Sequence, residues 1–254
     1  MQEQSEHREI EIAVVCPSHK RAERVLAKNV VAGLKICVPE SQREEYEEHN
    51  PECEIVTHPD TVLGLSLKRQ WIYEHWGNVF MVDDDVTGFD RVYVEPGEVS
   101  AVDPVTAHDI IQFAGNMAGM VGAKLFGFTD KPNPVMYRGF KPWSLTGYVT
   151  GCAIGLLEGG KFSFSPKAVA VEDYYISGLN AYFHRRAFID RRFNFKQKDT
   201  FMGVGGLADF RTEESEKQDT LFLRKLFGSA ITRKMDTKLA KSKNPYGRTL
   251  TIPF

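Results

Sequence analysis

The sequence predicts an α/β fold: a mainly parallel central sheet flanked by helices, followed by a mixed second part. Three observations support it. Strand-like and helix-like segments alternate four times within the first ~85 residues, as in βαβ units. The strand segments are near-continuous apolar runs rich in β-branched residues, the mark of strands buried on both faces. Three consecutive aspartates close the fourth strand, at the sheet end where such folds bind ligands.

Taken in order, Glu9 to Cys16 (EIEIAVVC) reads as the first strand. Pro17 to Arg21 ends it, and Ala22 to Val31 is expected to be a short helix. Leu34 to Val38 is the second strand, and Ser41 is expected to cap a charged helix running through Glu48. Cys53 to Thr57 is the third strand. Leu65 to Trp76 has helical spacing, with Leu67, Trp71 and Ile72 on the apolar side and Lys68, Arg69 and Gln70 elsewhere. Asn78 to Val82 is the fourth strand. Beyond it, Pro104 to Gly122 is expected to be helical despite its glycines. Asp130 to Trp143 holds three prolines and reads as a long loop, a lid or an acceptor surface. Gly147 to Leu157 is an expected strand, Asp173 to His184 a helix, and Arg192 to Phe195 a short strand. The division expected is a first α/β half ending in the three aspartates, residues 1–100, and a second part with a basic C-terminal segment, residues 101–254, within one domain.

Composition fits a globular enzyme-sized chain: 254 residues, 42% hydrophobic and 26% charged. No apolar run approaches the ~20 residues that span a bilayer, and the polar start MQEQSEHREIEI is unlike a secretory signal. A cytoplasmic protein is the expectation. The four cysteines (Cys16, Cys37, Cys53, Cys152) are scattered and form no zinc pattern, which makes them free thiols. The net charge of −2 hides an asymmetry. Gly160 to Phe254 carries 18 Lys plus Arg against 10 Asp plus Glu, so the first part is acidic and the second basic. A basic second part meets something negative, or is an unevenly solvated surface.

Asp83, Asp84 and Asp85 repel one another at the end of a buried strand, which is costly without a cation. On extended chain Asp83 and Asp85 would point the same way and Asp84 the opposite way. Two hard oxygen ligands on one side suit Mg²⁺ or Mn²⁺, completed by water and ligand phosphates. An acidic surface turn is the bland alternative. Ser18, His19, Lys20 and Arg21 open the expected helix after strand one, where free amides and cations would attract an anion. Arg69 is expected to pair with a phosphate in bidentate fashion, whereas Lys68 should face elsewhere. No GxGxxG or GxxxxGK[ST] stretch is present, so neither a dinucleotide fold of the usual kind nor a P-loop is supported. Glu172 and Asp173 begin a helix, where carboxylates either cap free amides or, functionally, serve an acceptor as general base. His184 lies eleven residues past Asp173, about 16 Å along a continuous helix, too far to share a metal with it.

Together, PSHKRAERV, GLSLKRQW, MVDDDV and VEDYYISGLNAYF resemble the motifs of GT-A glycosyltransferases. The resemblance covers roughly Glu9 to Phe195. It implies a GT-A fold, metal binding by Asp83 and Asp85, and nucleotide-sugar contacts at Pro17, Ser18, His19, Arg21, Arg69 and Asp84. It also implies an acidic acceptor-site residue, Asp173 or Glu172. The chain departs where His19-Lys20 replaces the usual Asn or Asp of a P-x-Y-N-R start. The order DDD, VED, GGLADFRT and NPYGR (Gly205, Gly206, Arg211 and Asn244 to Arg248 among them) is similar to phage glycosyltransferases associated with TET/JBP-type or 5-hydroxymethylcytosine DNA modification. That narrower resemblance implies a UDP-sugar donor, hydroxymethylated DNA as acceptor, and the host cytoplasm as location. Open alternatives are a glycan, lipid-linked or small-molecule acceptor, a nucleotidyltransferase, and a non-catalytic DNA-binding module.

Overall fold

In the computed structural model, which describes residues 9–168, 170–197, 212–233 and 248–251, the first strand is shorter than its apolar run. β1 is Ala13–Pro17. The backbones of Ile10 and Ile12 pair with side-chain amides of a helix, α3 (Pro104–Met120). Gln112 Oε1 accepts from Ile12 N–H at 2.9 Å and its Nε2 donates to Ile12 O at 2.8 Å; Asn116 does the same for Ile10 at 2.8 and 2.9 Å. Two helix glycines make the close approach possible, since a Cβ at Gly115 or Gly119 would come within 2.5 Å of Ile12 or Ile10. The glycines that weaken this helix by propensity are therefore contact points. Asp103 caps it, its carboxylate accepting from Val105 and Thr106 N–H at 3.1 and 3.0 Å.

β2 (Lys35–Pro39), β3 (Glu54–His58) and β4 (Val79–Val82) follow as expected, as do α1 (Arg43–His49) and α2 (Leu65–Trp76). Ser41 does not cap α1: it sits in a 3-10 turn, Glu40–Gln42, and its hydroxyl donates to Asp60. The segment Ala22–Val31 is not an α-helix either, but two 3-10 turns, Ala22–Arg24 and Leu26–Asn29. The amides of Leu26 and Ala27 donate to the Asp84 carbonyl at 2.7 and 3.4 Å, which draws the backbone away from helical bonding.

The remaining strands are β5 (Val86–Arg91), β6 (Leu125–Phe128), β7 (Trp143–Ser144), β8 (Ala153–Leu156), β9 (Ala187–Asp190), β10 (Phe193–Gln197), β11 (Ile231–Arg233) and β12 (Arg248–Leu250). Eight of the described strands form one sheet in the order β3-β2-β1-β4-β8-β6-β9-β7. Only β8 and β7 run against the others. β5 leaves the sheet directly after the aspartates and pairs antiparallel with β10. α4 (Glu172–Phe183) begins at the expected place, and α5 (Glu213–Phe227) packs beside it, with Phe227 against Gly178. Apolar clusters cover both sheet faces. One joins β1, β2 and β4 to α3, and the other joins them to α2 and α4.

Gly205, Gly206, Arg211 and Asn244 to Gly247 lie outside the described residues. Arg248 lies within them and is buried against Glu216. No helix among the described residues is long and apolar enough to cross a membrane.

Candidate active site

The parallel strands deliver Pro17–Arg21, His58 and Asp83–Asp85 to one end of the sheet. The loop Tyr148–Cys152 and the start of α4 complete the enclosure.

Arg69 is its hub. The guanidinium is fully buried, with Nη2 donating to Asp83 Oδ1 at 2.7 Å and Nη1 to the Gly151 carbonyl at 2.8 Å. Glu172 Oε1 stands 3.7 Å from Nη2, and Nε has no partner. One cation thus ties the aspartate cluster to the Glu172–Asp173 pair, with Asp83 and Glu172 lying 89 residues apart in sequence. Nη1 and Nη2, the nitrogens expected to meet a phosphate, here face the Gly151 carbonyl and the carboxylates of Asp83 and Glu172. Burial pushes the Asp83 carboxyl up to about 7 against the pull of Arg69, and Asp85, Asp84 and Asp173 add to the rise. Burial likewise carries Glu172 up to about 7, with Arg69 opposing and Asp173 assisting. Three mutually repelling carboxylates share too little positive charge.

Lys68 was expected to face away from this end of the sheet, yet it is also buried. Its ammonium donates to the Ser18 carbonyl, and burial lowers its pKa to about 8. Both cations of α2 point inward because Leu67 is the exposed member of the turn.

The three aspartates do not alternate on an extended chain. Asp84 and Asp85 form a tight turn in which Val86 N–H donates to Asp83 O at 3.2 Å. Each has its own partner. Asp84 is buried, its Oδ2 accepting from Ser18 Oγ at 2.7 Å and its Oδ1 from Arg21 Nη1 at 2.8 Å. Ser18 also meets the Tyr46 hydroxyl at 2.8 Å. Asp84, Ser18 and Arg21 therefore fix the loop after β1, and Pro17 ends the strand inside the core. His19 and Lys20 are left exposed at the rim, with Gln42 bonded to both. The expected anion site at a helix N-terminus is absent here, since no α-helix follows Arg21.

Asp83 and Asp85 fit a divalent cation in part. Asp85 Oδ1 accepts from Gln197 Nε2 at 2.8 Å. That leaves one oxygen on each of Asp83 and Asp85 that accepts from no other residue among those described. Among the described residues no three His, Cys, Asp or Glu side chains converge to hold a metal. A hard cation held by this pair would therefore draw its remaining ligands from water and phosphate.

Asp173 holds the opposite wall. Its Oδ2 accepts from the Tyr148 hydroxyl and from Gly151 N–H (3.2 Å), and its Oδ1 accepts from Tyr174 N–H (2.7 Å). A carboxylate has about four lone-pair sites, so one remains open. Burial and then Asp173 keep the Tyr148 phenol well above its usual pKa, a hydroxyl donor at any working pH. A Cβ at Gly151 would lie 3.2 Å from Asp173 Cβ and 3.4 Å from Glu172 Oε1, close enough that these carboxylates would have to give way by a few tenths of an ångström. His184 is not a ligand to this site; its Nε2 accepts from Lys161 N–H at 2.9 Å.

Lys68, Tyr148, Gly151 and Gln197 are site residues that sequence reasoning missed. The GLSLKRQW stretch carried the only signal for Lys68, and a lone Tyr, Gly or Gln carries none.

At the strand ends of this α/β sheet a buried arginine, an aspartate triplet and a helix-opening Glu-Asp pair form one enclosure. The sequence matches the TET-associated glycosyltransferase family over residues 12–206, and the chain belongs to that family. No curated protein matches it. Among solved structures it is similar to S. aureus TarS 1-349, at 12% identity and a TM-score of 0.46, covering 91% of this chain and 67% of that one.

Proposed function

We propose that this glycosyltransferase moves a sugar from a UDP-sugar to the hydroxymethyl group of 5-hydroxymethylcytosine in DNA, using Mn²⁺ or Mg²⁺. The observation that carries the reading is the Arg69 bridge, which puts a carboxylate pair suited to a metal diphosphate and a carboxylate suited to a hydroxyl in one enclosure. Family membership supplies sugar transfer; the hydroxymethylated acceptor and the cytoplasmic setting, the host's for a phage-encoded enzyme, follow from the resemblance in the sequence motifs. The basic second part fits a polyanionic acceptor.

In this reading Asp83 and Asp85 would hold the cation, which when bound neutralises charge on the departing diphosphate. Arg69 keeps Asp83 in place rather than touching phosphate. The loop fixed by Asp84, Ser18 and Arg21 receives the nucleotide, with His19 and Lys20 at its edge. Asp173 takes the acceptor hydroxyl's proton on its open lone pair as that oxygen attacks the sugar. Tyr148 and Gly151 hold the carboxylate in position. Glu172, turned toward Arg69, is the partner of the arginine and not the base.

Incubation with Mn²⁺, a panel of UDP-sugars and DNA containing 5-hydroxymethylcytosine, followed by mass analysis of the nucleosides, tests the reading. A sugar mass on hydroxymethylcytidine that disappears with Asp85→Ala is the expected result. Metal-dependent hydrolysis of a UDP-sugar without any added mass would remove DNA as the acceptor.

A further inference from the structure

We propose that the loop joining β6 to β7, with the residues just beyond it, is the surface on which a DNA strand lies while its modified base reaches the site. This rests on the acceptor reading above.

The loop exposes large apolar side chains that a solvated connection has no reason to carry. Phe140 is 78% exposed and Val135 75%, with Met136, Trp143 and Leu145 also exposed. Large apolar side chains exposed together along one short segment mark a binding surface. The segment is nonetheless ordered by its own bonds. Asn133 Oδ1 accepts from Val135 N–H at 3.0 Å, and Met136 N–H donates to Asn133 O at 2.9 Å. Arg138 Nη1 donates to the carbonyls of Val135 and Tyr137 at 2.8 and 2.9 Å. Pro132, Pro134 and Pro142 restrict the backbone further. At its far end Arg191 N–H donates to Pro142 O at 2.8 Å, and β7 pairs with β9. The apolar groups are therefore held outward by a built scaffold.

Charge selects the occupant. From Lys131 to Thr146 there are three cations, Lys131, Arg138 and Lys141, and no acidic residue. None of the three pairs with a carboxylate among the described residues. Lys141 Nζ lies 5.9 Å from the centre of the Phe140 ring, and the Arg192 guanidinium lies 5.7 Å from that of Trp143. Aromatic faces interleaved with cations are what a nucleic-acid strand requires: rings for bases, cations for phosphates. The patch is also joined to the site by a short stretch of chain. Tyr148, which holds Asp173, comes eight positions after Phe140, at most about 28 Å of extended chain.

The test uses the whole chain and two variants, Phe140→Ser and the double Lys131→Ala/Lys141→Ala. Both alter exposed side chains, and an unchanged thermal midpoint confirms folding. Binding of a fluorescent single-stranded oligonucleotide containing 5-hydroxymethylcytosine is measured by anisotropy across a salt series. Transfer to the oligonucleotide, transfer to free 5-hydroxymethyl-2′-deoxycytidine and UDP-sugar hydrolysis are measured beside it. We expect Phe140→Ser to weaken DNA binding about tenfold and the double variant to flatten the salt slope by roughly 1. UDP-sugar hydrolysis and nucleoside transfer should stay within about twofold of wild type in both, since neither depends on phosphate or stacking contacts at this patch. DNA affinity and salt slope unchanged in both variants would overturn the proposal. So would loss of binding to phosphatidylserine vesicles with DNA binding intact, which would assign the patch to a lipid surface. Wild type that binds DNA through this patch yet transfers no sugar to it would uphold the surface and reject only the acceptor reading.

Discussion

Replacing Arg69 with methionine keeps much of the side-chain volume and removes the one buried cation that faces both Asp83 and Glu172. The loss comprises a charged hydrogen bond to Asp83, about 1.5–3 kcal/mol, and a bond to the Gly151 carbonyl, about 1 kcal/mol. Stranding buried charge brings the total to about 3–5 kcal/mol. The pH dependence identifies the cause. Glu172 has a folded pKa raised to about 7, so between the ordinary carboxylate range and 7 the folded chain binds the extra proton. Stability of the parent protein therefore falls as pH rises through that window and levels off above it. Without Arg69 the folded pKa of Glu172 moves higher still, and the decline continues past 7. Asp83, raised to about 7 against the same pull of Arg69, responds alike, so the gap between parent and variant should widen by up to about 1.4 kcal/mol per pH unit for each of the two carboxylates above neutrality. Near pH 5.5 Glu172 is neutral in both, and about 1–2 kcal/mol should remain from lost hydrogen bonds. Urea unfolding followed by tryptophan fluorescence, with EDTA present and pH stepped from about 5.5 to about 8.5, measures this directly. A difference that is flat with pH, or larger in acid, would refute the charge-clamp account of Arg69.

Other predictions address the two walls separately. Asp85→Asn should reduce transfer by at least about 10³-fold while leaving the fold intact, and steady-state kinetics across a Mn²⁺ titration would show the loss of metal response. Tyr148→Phe removes one donor to the Asp173 carboxylate. It should lower kcat about tenfold and leave KM for the UDP-sugar unchanged, a split that a donor-binding role would reverse. Gly151→Ala places a methyl 3.2 Å from Asp173 Cβ. It should cost about 1 kcal/mol by thermal melting and at least tenfold in kcat. Asp84→Asn leaves the Arg21 charge without its carboxylate and presents an amide donor where Ser18 and Arg21 both donate. A loss of about 2–4 kcal/mol in urea, with a raised KM for the UDP-sugar, is expected.

The strands that build the donor side were legible because β1, β2 and β4 are buried on both faces, and burial of that kind leaves an unbroken apolar run; β3, a partly exposed edge strand, was legible from its β-branched Ile55-Val56-Thr57. β5 was not, since Val86–Arg91 pairs with β10 outside the main sheet and carries Thr87, Gly88, Asp90 and Arg91 within its six residues. β6 and β9 are four residues each and too short for any period to assert itself. The expected anion site after β1 failed for a different reason. The amides of Leu26 and Ala27, which would have continued an α-helix from Ala22, are taken instead by the backbone carbonyl of Asp84, so no α-helix N-terminus forms there.

The site itself was legible in its residue types and not in its pairings. Three adjacent aspartates ending a strand announce a charge problem in sequence, but the solution lies in three unrelated elements. Arg69 comes from α2, Arg21 from the loop after β1, and Gln197 from β10. Helical periodicity turned Lys68 away from the site because it assumes that only apolar side chains face inward. At the end of a parallel sheet that assumption breaks down, since the inward face there meets carboxylates and carbonyls. A charged pair on the inward face of a helix that precedes an acidic strand end is therefore a site signal in its own right. The Arg69→Met measurement tests that rule together with this one residue.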